Sequence, residues 1–301
     1  MSRRVHRTSH LNDARLAWRL SSPALAAILL TAAFPIAWTF WESLHRHDLR
    51  FPWLGQPFVG LDNYRDALAN LRFWSALLHT VIFTTLTVTL ELLFGLALAL
   101  GLDAAQRGRG AMRALTLLPW AIPTVVAGLI WRFLFEAPAG PVDTWLLRAG
   151  IIDAPVTWLA GPVTAWLPIV AADVWKTAPF MALLLLAGLQ GIDRSVYEAA
   201  RLDGARHLRM LIYVTLPLLR PAIAAAVIFR SLDAFRVFDV VYVITGGGPG
   251  TATEPLSLYA FSTFFRSLRF GYGSALSMLM FLVSFTLALV WIRFSRTTEP
   301  A

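Results

Sequence analysis

"EAARLDGARHLRMLIYVTLP", Glu198 to Pro217, puts a cluster of charges in the middle of a chain otherwise dominated by long apolar runs, and it is neither a membrane span nor a plain linker. With the residues just before it, the stretch reads as helix, break, helix. Asp193 is placed to cap a short helix over Ser195–Leu202, which Glu198, Ala199, Ala200 and Arg201 favour. Gly204 then supplies the left-handed backbone that a sharp turn needs. Leu208, Leu211 and Ile212 give the second helix an apolar face, and Pro217 and Pro221 are expected to bend the chain back into the bilayer. On these residues alone, an amphipathic loop held by its arginines to anionic headgroups is as good a reading as a docking element.

The apolar runs on either side set the class. Hydrophobic residues make up 57% of the 301, charged residues 15%, and the mean hydropathy is +0.62. That is more apolar surface than one soluble core hides, so the chain is expected to face lipid. The formal net charge of +8 does not point to nucleic acid, because the arginines punctuate apolar runs instead of forming a solvated basic patch. With no cysteine, disulfides, thiolate metal sites and cysteine nucleophiles are excluded. The start is not read as a cleavable signal: Ala32-Ala33-Phe34-Pro35 is a weak small-residue site in a run that continues to Trp41.

A hydrocarbon core of about 30 Å takes roughly 20 helical residues to cross. Six stretches qualify: Arg19–Glu42, Leu77–Leu102, Ala114–Phe135, Thr164–Gln190, Leu218–Thr245 and Gly273–Arg293. They form one all-α polytopic domain over residues 19–294, with an N-terminal arm (1–18), a loop at 191–217 between spans four and five, and a tail (295–301). Arginine is concentrated in the arm, in the second loop (Arg107, Arg109, Arg113), in the fourth loop and at the tail. By the positive-inside rule these segments, and so both termini, are cytoplasmic. The third loop, Glu136 to Val163, is expected to hold a short amphipathic helix over Val142–Ala149, with Trp145 and Trp158 suited to the membrane interface.

Within the spans, each charge costs about 2.5–3.5 kcal/mol on insertion scales and is a candidate for function. In span five Arg230, Asp233, Arg236 and Asp239 follow one another at i,i+3, a ladder that either ties helices together or offers hydroxyl-binding groups to a cavity. In span four Asp173, Lys176, Thr177 and Phe180 lie close together on a helix that Pro179 is expected to interrupt. Glu91, alone in span two, either lines the pathway or bonds a neighbouring helix, while Gly95, Ala97, Ala99 and Gly101 suit close packing.

Glu198-Ala199-Ala200, Gly204 and Leu216-Pro217, with Val214 where isoleucine is usual, resemble the EAA loop of ABC-importer permeases. The likeness extends along almost the whole chain to the sugar-permease branch of the type I importers, through "VWKTAPF", "LAGLQGI", "YEAARLDGA" and "FDVVYVITGGGPG". It implies that Glu198, Ala199, Ala200, Arg201, Asp203 and Gly204 dock in a separate ATPase subunit and couple it to the membrane helices. It also implies that sugar is held mid-membrane by Lys176, Thr177, Phe180, Arg230, Asp233, Ala234 and Val237. The maltose pattern has asparagines where Ala234 and Val237 stand here. "VWKTxPF" with "FRxLDAFRxFD" looks closer to a trehalose-importer permease, so a disaccharide such as trehalose is the implied cargo. An anionic sugar facing Lys176 and Arg230 is the alternative.

The same resemblance implies the partners: a second permease, a pair of ATPase subunits carrying the ATP and magnesium, and an extracytoplasmic sugar-binding protein. The setting would be the cytoplasmic (inner) membrane of a bacterium or archaeon. No catalytic group, cofactor, metal or nucleic acid is expected on this chain. A phosphate-binding G-x-x-x-x-G-K-[ST] loop needs a lysine, and the sole one, Lys176, follows Trp175 inside a span. Gly246-Gly247-Gly248-Pro249 reads as a structural turn, and His79 and His207 are too scattered for a metal. The rival of another class is an ion-coupled transporter using Asp233, Asp239 and Glu91 as proton relays, against which the missing inverted repeat counts.

Overall fold

The computed structural model describes residues 5–105, 108–136, 138 and 140–296. Residues 1–4, Arg107 and the tail beyond 296 lie outside the described residues. Among those described, helices account for nearly all regular structure: α1 Val5–Ser43, α2 Asp62–Ala69, α3 Leu71–Ala104, α4 Arg109–Ala121, α5 Thr124–Leu134, α6 Pro141–Arg148, α7 Trp166–Gln190, α8 Arg194–Leu202, α9 His207–Met210, α10 Leu216–Ala234, α11 Asp239–Ile244, α12 Leu256–Phe261 and α13 Phe270–Arg296. Five helices are long and apolar enough to cross a membrane, and six spans result when α4 and α5, which meet at 83°, count as one.

The chain divides into two compact units. The first comprises residues 1–67 and 263–279. Its long helix α1 is apolar over Trp18–Ser43 with no residue of 18–41 buried inside the protein, as befits a span whose neighbours are lipid or another chain. The loop after α1 is tied back to it by Asn63, whose amide donates to the carbonyls of Ser43 (2.8 Å) and His45 (2.9 Å). Arg50 clamps Asp48 through Nε (2.8 Å) and Nη2 (2.6 Å), holding that carboxyl below its ordinary range.

The second unit comprises residues 68–262 and 280–301 and contains the main core. Phe83, Ile169, Met181, Leu185, Leu219, Val241 and Ile244 are buried there, where α3, α7, α10 and α11 meet. Small residues let the backbones approach: a Cβ on Gly95 of α3 would fall 2.7 Å from Met181 Cγ, and one on Gly188 of α7 would fall 2.5 Å from Ala222 Cβ on α10. The N-terminal end of α3 is pinned by Arg72, which grips Glu254 through Nε (2.7 Å) and Nη2 (2.8 Å).

Three sequence expectations change. The expected third span is not one helix: Ile122 is extended (φ −70°, ψ 132°) before Pro123, as the ring of a following proline demands, and the chain turns there. The expected fifth span stops at Ala234 and resumes at Asp239. Conversely, the prolines expected to interrupt or bend helices do not stop them. Pro179 lies inside α7, and α9, a π-helical turn over Leu211–Thr215 and α10 run on through Pro217 and Pro221 as one helix from His207 to Ala234. Both prolines lie inside that continuous helix, after the π-helical turn, and membrane helices re-satisfy the backbone groups that an internal proline frees. The helix expected over Val142–Ala149 is α6, whose buried Asp143 accepts a 2.7 Å hydrogen bond from Trp158 Nε1.

Candidate functional site

The centre of the second unit is one guanidinium among three carboxylates. Arg230, on α10, donates from Nε to Glu91 Oε2 (2.6 Å) and from Nη2 to Glu91 Oε1 (2.7 Å), a two-pronged pairing with α3. Its Nη2 also reaches Asp173 Oδ2 on α7 at 3.3 Å, and Nη1 pairs with Asp233, one turn along α10. The Thr177 hydroxyl, within 2.6 Å of Glu91 Oε1, closes the network. Exposure grades outward through this cluster: the Glu91 side chain is 0% and Arg230 4% exposed, Asp173 14% and Asp233 55%. The buried Glu91–Arg230 pair thus faces protein on one side and has the Asp173 and Asp233 carboxylates on the other.

Those oxygens open onto a cavity of about 380 Å³. All seven side chains singled out in spans four and five, Lys176, Thr177, Phe180, Arg230, Asp233, Ala234 and Val237, line it. The break after Ala234 is what turns Val237, Phe238 and Asp239 toward the same space. It also removes the ladder: of the i,i+3 pairs only Arg230–Asp233 forms, Arg236 Nε donates to the Leu232 carbonyl (3.3 Å), and neither Arg236 nor Asp239 has an ion-pair partner among the described residues. Lys176 Nζ reaches the Trp120 carbonyl (3.4 Å) in the last turn of α4. Trp120 stacks on Phe180 at 5.5 Å between ring centres, and Phe180 lies 5.4 Å from Phe229. The wall therefore combines acceptors, cations and aromatic faces, the mixture that serves a polyhydroxylated ring with polar edges and apolar C–H faces. Glu91, Asp173 and Trp120 complete the arrangement; Glu91 and Asp173 signalled themselves only as charges inside spans.

The loop between α7 and α10 has the expected elbow. Asp193 accepts from the Ser195 amide (2.9 Å) at the start of α8, and this bond holds its carboxyl below the usual range. At the other end Gly204 N–H donates to Arg201 O (3.0 Å) and Ala205 N–H to Ala200 O (2.9 Å), with Gly204 at φ +81°. That is the paired closure of a helix on a left-handed glycine. The chain turns back at 204–206, ahead of the prolines. Glu198, Ala199, Arg201, Asp203 and Gly204 are exposed, Ala200 is half-buried, and Leu202 is 90% exposed. Glu198 has no ion-pair partner among the described residues; with Arg109, Arg194 and Arg201 it borders a polar cavity of about 760 Å³. No cluster of potential metal ligands occurs among the described residues.

Broken spans around a polar cavity, joined to an exposed, doubly capped elbow, define a membrane permease. The chain belongs to the family of binding-protein-dependent transport system inner membrane components, whose sequence profile matches residues 91–295. It is 43% identical to the trehalose/maltose transport system permease of Thermococcus litoralis, over 94% of this chain and 95% of that one. It is 39% identical to the sulfoquinovosyl glycerol transport system permease of Agrobacterium fabrum, over 96% and 93%. A chain from the crystal structure of a bacterial ABC transporter that imports the acidic polysaccharide alginate superposes with a TM-score of 0.80 at 22% identity, covering 98% of this chain and 100% of that one. The fold is that of the type I ABC importer permeases.

Proposed function

We propose that this chain forms half of the membrane pathway of an ATP-driven importer for an uncharged disaccharide, with trehalose the leading candidate. The observation that carries the reading is the cavity bounded by Asp173, Lys176, Asp233 and the Trp120–Phe180–Phe229 aromatics, large enough for a sugar and placed where broken spans meet. The trehalose/maltose relative supports the class of cargo. The second reading, an anionic sugar, draws on Lys176, which has no carboxylate partner among the described residues, and on the sulfoquinovosyl glycerol relative.

A second permease supplies the other half of the pathway, a pair of ATPase subunits binds ATP and magnesium, and an external binding protein delivers the sugar. Both termini and the α8 elbow face the cytoplasm. Glu198, Ala199, Ala200, Arg201, Asp203 and Gly204 form the element that docks on an ATPase. The elbow works only if its contacts differ between the open and closed ATPase pair, because coupling is a difference in affinity for two states. The test is sugar-stimulated ATP hydrolysis by the reconstituted complex. Asp233→Ala should lower stimulation by loaded binding protein at least tenfold without reducing assembly, and an unchanged dependence on sugar would remove Asp233 from the site.

A further inference from the structure

Glu91 does not line the cavity, yet it holds the arginine that does. An arginine recognises sulfonate, phosphate or carboxylate through a fork of two parallel N–H groups. On Arg230 the Nε–Nη2 fork is closed by Glu91, a side chain with 0% exposure that approaches from α3, on the side away from the cavity. The remaining nitrogen, Nη1, is taken by Asp233, and Asp173 shares Nη2. Every nitrogen of the guanidinium is engaged. On the cavity wall Asp173, Asp233 and Asp239 match Lys176, Arg230 and Arg236 one for one, and Glu91 behind them adds one further negative charge.

We propose that Glu91 is a positioning and specificity-determining residue: by closing the Arg230 fork it withholds that arginine from an anion and sets Asp173 and Asp233, beside Lys176 and Arg236, on the wall that meets the ligand, so the cavity favours an uncharged polyhydroxylated sugar over its phosphorylated or sulfonated counterpart. The assignment rests on the sugar-importer reading above. It accounts for a carboxylate kept at membrane depth, outside the cavity and 139 residues from its partner in sequence, more fully than helix pinning does. Pinning α3 to α10 needs only one pair of opposite charges, in either order; setting the charge that faces the ligand needs the acid on α3 and the base on α10.

That asymmetry supplies the experiment. The permease–ATPase complex, purified without its binding protein so that the cavity alone selects, is titrated with labelled trehalose against unlabelled trehalose and trehalose 6-phosphate. Wild type should hold trehalose and not be displaced by the phosphorylated sugar. Glu91→Gln should weaken trehalose binding at least tenfold and make trehalose 6-phosphate an effective competitor, because the freed fork can turn to an anion. The exchange Glu91→Arg with Arg230→Glu keeps an ion pair between the two helices; it should restore assembly and thermal stability but not trehalose binding. Recovery of wild-type binding by the exchange would show that the pair is only a pin and overturn the assignment. Equal competition by trehalose 6-phosphate in wild type would overturn it too, leaving the importer reading intact. A wild-type complex that holds neither sugar, alone or with its loaded binding protein, would overturn the sugar reading and the assignment together.

Discussion

Arg230 is where the site and the fold depend on the same atoms. Its side chain is 4% exposed and its strongest partner, Glu91, is fully buried. Removing one member of such a pair strands the other, which costs about 3–5 kcal/mol, whereas replacing both with apolar groups is far milder. Arg230→Met should therefore lower the thermal stability of the purified complex by an amount of that order. Glu91→Leu with Arg230→Met should recover most of the stability while transport stays lost. A single variant as stable as wild type would contradict the burial assigned here. Of the seven cavity positions, Lys176, Thr177, Arg230 and Asp233 were legible as charges and a hydroxyl inside spans and Phe180 by its place beside them on the span-four helix, whereas Ala234 and Val237 came only from the resemblance to sugar permeases. The pairing of Arg230 with Glu91 was not: one carboxylate in an apolar run says nothing about which of the other helices it meets, and the visible i,i+3 pattern in span five pointed to a ladder that the break at Ala234 removes.

Among the elements, the α8 elbow was the most legible, since Asp193 and Gly204 are local signals that need no tertiary partner. Its glycine acts through backbone geometry, because a Cβ at Gly204 would meet nothing within 4 Å. Gly204→Val should cost about 1–2 kcal/mol by forcing a β-branched residue into the left-handed region. The chain should still insert, but stimulation of the ATPase should fall. Gly204→Asn, which tolerates that region, should retain most of it. Equal loss in both variants would mean that the glycine is needed for close contact with the partner and not for the turn. The cap titrates in the opposite sense from a base: with the Asp193 pKa depressed, its contribution is complete above about pH 4 and is lost as pH falls through the folded value, so it is fully present near neutrality. The break in span three had a local signal in Pro123, whereas the break after Ala234 and the continuity through Pro179, Pro217 and Pro221 were not legible. Proline signals calibrated on water-exposed helices overstate how often a helix stops inside a membrane.

For the whole molecule, the sequence marked six apolar stretches: four fall on single long helices, Leu218–Thr245 is divided between α10 and α11, and Ala114–Phe135 falls on the bent pair α4–α5. What the single chain leaves open is informative in itself: α1 buries no residue of 18–41 and the elbow exposes Leu202, both surfaces suited to partners or lipid. The sequence holds no G-x-x-x-x-G-K-[ST] loop, a lack that an ATPase-driven permease and an ion-coupled transporter with the same intramembrane acids would share, so the two differ in what energises uptake. The decisive measurement is uptake of labelled trehalose by proteoliposomes holding this chain with its partner permease, ATPase subunits and binding protein. The account predicts uptake that requires ATP and the binding protein and continues when an uncoupler collapses the proton gradient. Uptake that persists without ATP and stops with the uncoupler would contradict it.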